Sequence, residues 1–191
     1  MIIQNQLVSE SGSEPITLAQ LKNFIRVDFT TDDDLITALI TSARMLVEQF
    51  IGQALITKSL KTYFYDFEAW DTEGTYYNLV LPFSPVTAVS AVKIVGVNGV
   101  ETATTDFVST GLEVKNIRVN RILSLTSGTN QGYIVEYTAA NAAIAEPIKQ
   151  AIKMLAGEMY ENRQDSAVDV SISSLPYSVT AILRPYKKTF I

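Results

Sequence analysis

Histidine and cysteine are both missing from the 191-residue chain. Without imidazole or thiol there is no Ser-His-Asp or Cys-His nucleophile, no imidazole or thiolate metal site, no Cys-held iron-sulfur cluster and no disulfide. Charge is sparse at 18% of residues, and Gly and Pro number only 9 and 6, so the composition is neither that of a disordered segment nor that of a Gly- or Pro-rich repeat. A basic excess is also lacking. The 15 Lys and Arg against 20 Asp and Glu leave a net charge of -5, which argues against a general nucleic-acid-binding surface. No apolar run reaches the ~18 residues of a membrane span. The opening MIIQNQLVSESGSEP lacks the basic start and apolar stretch of a secretory signal. A soluble protein made in a reducing cytoplasm is expected. Any catalysis would have to use carboxylates, Lys, Tyr, Ser or Thr, and would need them clustered.

What is present is a folded composition, 47% hydrophobic. Residues 1–15 read as a loose polar arm. Thr17 and Gln20 then form a capping-box pair ahead of Leu18, Leu21 and Ile25, so a first helix is predicted to end near Val27. Thr31 with Asp34 marks the start of a second helix, and Asp32, Asp33 and Asp34 sit where the helix dipole favours negative charge. Leu35, Ile36, Leu39, Ile40, Ala43, Leu46, Val47, Phe50 and Ile51 give this helix an apolar face too broad for one shallow contact, and Gly52 supplies a left-handed exit.

From about Lys58 to Thr138 the period shortens. Segments such as KTYFYDF, VSAVKIVGV and GYIVEYT are rich in Val, Ile and aromatics between turn residues, which predicts five to seven antiparallel strands with a two-residue hairpin at Asn98-Gly99. Their connections are too short for repeated parallel crossovers. A third helix begins near Pro147 with Ile148, Ala151, Ile152, Leu155 and Met159 on one face, and is expected to pack on the second. Residues 164–173 read as a mobile connection. Ser174, Leu175 and Pro176 open a short helix with Val179, Ile182 and Leu183 as its stripe and Pro185 as its stop. The fold class is α+β: a helical core of about four helices (16–57 and 145–163), an inserted antiparallel β-rich lobe (58–139), and a C-terminal segment (164–191).

Each chemical possibility has a bland competitor. Asp32 to Asp34 suit a helix start better than a metal site, and Asp66, Glu68, Asp71 and Glu73 around Trp70 lack the ordered ligand spacing of a calcium loop. The stretch Ser127 to Gly132 reads as a hairpin turn and not a phosphate loop. Tyr63, Phe64, Tyr65, Phe67 and Trp70 are interleaved with acids, so core or interface aromatics are favoured over base stacking. Lys115, Arg118 and Arg121 read as solvated charges. No catalytic, metal or cofactor site emerges. The C-terminal mixture of Val179, Ile182, Leu183, Tyr186, Phe190 and Ile191 with Arg184, Lys187 and Lys188 points to docking on a partner.

The phrases ITLAQLKNFIRVD, DDDLITALITSARMLVEQFIGQALI, EPIKQAIKMLAGEMYENR and SSLPYSVTAILRPYK, in this order around a β-rich middle, resemble the head-tail connector, or adaptor, proteins of tailed bacteriophages. The resemblance covers residues 16–62 and 145–187 and carries no catalytic motif. It implies a non-enzymatic structural virion protein, made in the host cytoplasm and located at the head-tail junction, which forms a twelvefold ring beneath the portal protein and meets a neck or tail-completion protein. By this resemblance Leu175, Val179, Ile182, Leu183, Arg184, Tyr186, Lys187, Lys188 and Phe190 are portal contacts, and Asp32, Asp33 and Asp34 face a neighbouring subunit. DNA would pass through the lumen without specific binding, for which an acidic protein is suited. On this view, removal of residues 175–191 abolishes portal attachment and leaves the fold intact. Two other readings are a carbohydrate- or ligand-binding module around Trp70 and a hydrolase using Asp66 and Glu68.

Overall fold

The computed structural model describes residues 2–65, 76–96, 98–109, 116–120, 130–162 and 175–187. The chain divides into two compact units, one built from Met1–Gly12 with Ile56–Asn141 and the other from Ser13–Leu55 with Ala142–Thr189.

The second of these is helical. Helix α1 (Leu18–Ile25) has the expected reciprocal cap: the Gln20 amide donates to Thr17 Oγ1 at 3.2 Å and the Thr17 amide to Gln20 Oε1 at 2.9 Å. Arg26 ends it at φ 57°. Helix α2 (Asp33–Ile51) stops at Gly52, whose φ of 65° aims its amide at the Glu48 carbonyl. Its start differs from the Thr31 cap expected. Asp32 is the capping residue but makes no side-chain cap bond, because its carboxylate accepts from the Tyr160 hydroxyl at 2.7 Å. Helix α3 (Glu146–Glu161) carries Pro147 in its first turn, where a missing amide hydrogen costs nothing. Helix α4 (Tyr177–Leu183) runs into a single 3-10 turn, Arg184–Tyr186, so Pro185 tightens the chain one turn beyond the α-helix. Leu21, Ile36, Ile40, Val47, Ile148, Ile152, Leu155, Val179 and Leu183 close one apolar core.

Inside that core lies an ionic knot the apolar periodicity did not reveal. Arg44 is fully buried on α2; its Nη1 donates to Glu48 one turn on at 2.8 Å and its Nε to Glu14 at 2.9 Å. Glu48 in turn accepts the Leu55 amide at 2.7 Å, and Glu14 the Thr41 hydroxyl at 3.0 Å. The knot ties both ends of this stretch of chain to the middle of α2.

The other unit is an antiparallel five-stranded sheet in the order β1 (Ile2–Ser11), β2 (Thr57–Tyr65), β8 (Asn130–Ala139), β4 (Val86–Gly96), β5 (Glu101–Thr104). A second sheet joins β3 (Tyr76–Val80), β7 (Asn116–Asn120) and β6 (Phe107–Ser109). Strand β2 alternates as a half-covered strand must: Lys58, Leu60, Thr62 and Phe64 are buried, and Lys61, Tyr63 and Tyr65 are half-buried. Gly132 of β8 is required by contact, since a Cβ there would fall onto the Phe64 carbonyl oxygen.

Two expectations change in this unit. The arm expected to be loose is strand β1, paired with β2 from Ile2 opposite Tyr65 to Ser11 opposite Thr57. It is mostly polar because it is an edge strand, and part of its hold is polar: the Thr62 hydroxyl donates to Asn5 at 2.7 Å and the Tyr63 hydroxyl to Gln6 at 3.2 Å. The hairpin near Asn98-Gly99 joins β4 to β5, yet Asn98 is not at positive φ and only Gly99 is, at 76°. The Gly99 amide bonds the Gly96 carbonyl and the Gly96 amide the Val100 carbonyl, both at 2.9 Å, the pattern of a longer turn closed by a left-handed glycine.

Candidate functional site

The C-terminal helix was the sequence's main candidate, and its geometry sorts the named residues into two sets. Val179 and Leu183 are buried in the helical core of their own chain, and Leu175, Ile182 and Tyr186 pack against that core. Val179 and Leu183, enclosed in this way, are not on offer to a partner, whereas Leu175, Ile182 and Tyr186 keep part of their surface. The 3-10 turn is held too: Gln53 Nε2 donates to the Tyr186 carbonyl at 2.7 Å, and the Lys187 ammonium sits 5.0 Å from the centre of the Phe50 ring. Removing residues 175–191 would therefore open the core. It corrects the expectation that such a truncation leaves the fold intact, because two fully buried aliphatic side chains at roughly 1.5 to 3 kcal/mol each go with it.

The outward set is Tyr177, Ser178, Ala181, Arg184, Pro185 and Lys187. Tyr177 is 84% exposed, more than any other exposed large hydrophobic residue among those described. Sequence reasoning missed it because it lies off the Val179, Ile182, Leu183 stripe; its placement in the first turn, just after Pro176, is the signal that marks it. Lys188 and Phe190 lie outside the described residues.

The three aspartates divide as well. Asp33 pairs with Lys22 at 2.6 Å, Asp32 accepts from Tyr160, and Asp34 is exposed. They do not converge. Among the described residues no three His, Cys, Asp or Glu side chains are grouped to hold a metal ion, and no helix is long and apolar enough to cross a membrane. The acids and aromatics at Asp66, Phe67, Glu68, Trp70, Asp71 and Glu73 lie outside the described residues, as do Lys115 and Arg121.

The sheet face of the β unit carries charge, but in satisfied form. Glu101 accepts from Lys61 at 3.1 Å and from Lys93 at 3.2 Å, and Glu136 accepts from Lys93 at 2.7 Å. Hydrogen bonds from Lys61 and then Lys93 hold the Glu101 carboxyl below its ordinary range, and those to Glu136 and Glu101 raise Lys93. Beside them the Tyr63 and Tyr65 rings are stacked with centres 6.0 Å apart. Four charges that neutralise one another offer little to an ionic ligand.

The C-terminal helix is thus anchored by its inner face and shows an outward aromatic ring and two cations. A family model described as head completion protein matches residues 14–189. The chain belongs to the head completion protein family, and its role is structural, at the junction of phage head and tail. No curated protein matches it. Among solved structures, the neck of a native gene transfer agent particle computed with C12 symmetry is similar at TM-score 0.66 and 20% identity, with 97% of each chain covered. The neck of the empty particle computed with C6 symmetry gives 0.66 and 18% over 100% of this chain and 97% of that one. The virion of the native particle gives 0.65 and 20% over the same shares. These likenesses establish a common fold.

Proposed function

We propose that the chain is a ring-forming adaptor that docks beneath the portal protein, performs no catalysis, and presents its far side to a neck or tail-completion protein. The observation that carries this reading is the anchored C-terminal helix, fixed by its inner face and left with Tyr177, Arg184 and Lys187 outward. Tyr and Arg are among the side chains that dominate binding energy at protein interfaces. Preorganisation lowers the cost of docking relative to a tail that must first order. Two further facts support the reading: the family match spans nearly the whole chain, and a structurally similar protein lies in a neck computed with C12 symmetry. A twelvefold ring of these chains would line a conduit for DNA, and their net charge of -5 opposes its adhesion.

Deleting the gene from the parent phage and viewing its particles by electron microscopy tests the role. Tailless heads beside complete free tails are expected; normal infectious particles would sink the proposal. The portal contact is tested separately with Tyr177→Ala combined with Arg184→Glu in the full chain. Both residues are exposed, so folding is preserved and portal capture is expected to fall by about tenfold or more. Undiminished capture by the folded double variant would move the contact elsewhere.

A further inference from the structure

Helix α2 is apolar on two opposite sides, and only one of them is used. Ile36, Ile40, Ala43, Val47 and Ile51 face the core. Leu35, Ala38, Ser42, Met45, Leu46 and Gln49 are all exposed, and they fall within an arc of about 100° on a helix of ~3.6 residues per turn, away from the core side, with four apolar side chains and only Ser42 and Gln49 polar. A 19-residue helix that shows Met45 at 48% and two leucines at 39% each to solvent has one unmatched face. Asp34 stands exposed at its N-terminal end, and no ion pair is formed by it among the described residues.

The same helical unit shows two exposed phenylalanines at and just beyond the end of α1. Phe24 and Phe29 are 43% and 49% exposed. The Phe24 ring lies close to where a Cβ on Gly157 of α3 would be, which places this corner with α3, the helix packed on the core side of α2. Next to Phe24 stands Arg26, exposed, held at φ 57°, and without an ion-pair partner among the described residues. A closed ring of identical subunits requires two different faces that fit each other on opposite sides of one protomer. A mainly apolar stripe ending in Asp34 and a corner with two exposed phenylalanines and Arg26 meet that requirement in polarity and offer one opposite-charge pair, while Asp28, exposed beside Arg26, disfavours any register that brings it to Asp34.

We infer that the outer stripe of α2 docks head-to-tail on the Phe24–Phe29 corner of a second copy of this chain, with Asp34 of one copy meeting Arg26 of the next. The inference rests on the ring reading above and adds which faces meet. Because the sequence holds no cysteine, each introduced thiol is the only one on this chain, and particles with the unaltered chain supply the background. Purified particles carrying Met45→Cys, Phe24→Cys or both are treated with a short bifunctional maleimide and analysed by denaturing electrophoresis. The double variant is expected to give a ladder of covalent multimers and each single variant to stay monomeric. Dimers from either single variant would mean that like faces meet across a twofold axis and would overturn the inference, as would an unlinked double variant in particles that contain the protein. Infectious particles that lack the protein altogether would overturn the head-tail reading as well. Should the double variant not assemble, charge exchange decides. Asp34→Arg is expected to lower incorporation into particles by about tenfold, and adding Arg26→Asp to restore it to within about twofold; no restoration overturns the pairing.

Discussion

Each unit of the molecule carries an ionic cluster, and the two differ mainly in how much water reaches them. In the helical unit Arg44 and Glu48 have side chains 1% exposed, with Glu14 closing the knot from the rim. In the sheet unit Lys61, Lys93, Glu101 and Glu136 are linked by ion pairs too but remain 18 to 36% exposed. Similar charges therefore do different work. The buried knot fixes one geometry, since breaking it strands a charge in a dry core, whereas the sheet network settles charge on a wet face where each pair contributes little.

Glu48→Gln is expected to cost the most. It leaves Arg44 buried without its full counter-charge, so a loss of about 3 to 5 kcal/mol is expected in urea unfolding followed by circular dichroism. A loss under ~1 kcal/mol would mean that water reaches the knot. Next comes Gly132→Ala in the sheet, where the new methyl meets the Phe64 carbonyl and forces β8 from β2; a cost of about 3 kcal/mol is expected by the same measurement.

Alkali separates the units by a third route. Burial pushes the Tyr137 hydroxyl up to about 12 from an ordinary value of 10.0. Its folded value lies above its unfolded one, so its contribution is whole below pH 10 and is lost as the pH rises through about 12, amounting to roughly 3 kcal/mol. A pH titration of stability should show this fall, and Tyr137→Phe should remove it. The smallest effect is reserved for the sheet network: Lys93→Met is expected to cost under ~1 kcal/mol, with the difference from the parent shrinking as salt is added. Because the Glu101 carboxyl is lowered, its small share is present above the ordinary carboxylate range and lost as the pH falls below that range through the lowered folded value.

The same contrast governs how much of the molecule can be read from sequence. The helical unit was legible because its signals are local: the Thr17 and Gln20 cap, the Gly52 exit, Pro147 in a first turn and apolar residues at helical spacing. The sheet's strands were legible as a block, but pairing is nonlocal. Strand β1, polar and at an edge, carries no apolar alternation to announce it, and its partner is distant in sequence, in Thr57–Tyr65. Arg44 escaped for a related reason, since a charged residue in an apolar stripe reads as surface until Glu14 and Glu48 are seen around it. At the candidate site the α4 stripe was identified correctly as amphipathic. Its direction was not, because periodicity shows that Val179 and Leu183 share a face but not whether that face meets the chain's own core or a partner.

The most direct measurement is a reconstruction of the neck in particles of the parent phage. A ring of these chains between portal and tail, with the outer side of α4 against the portal and helical units in side-by-side contact, is the predicted result. Density at the junction that accommodates no ring of this fold, or copies of the chain found only elsewhere in the particle, would contradict the account.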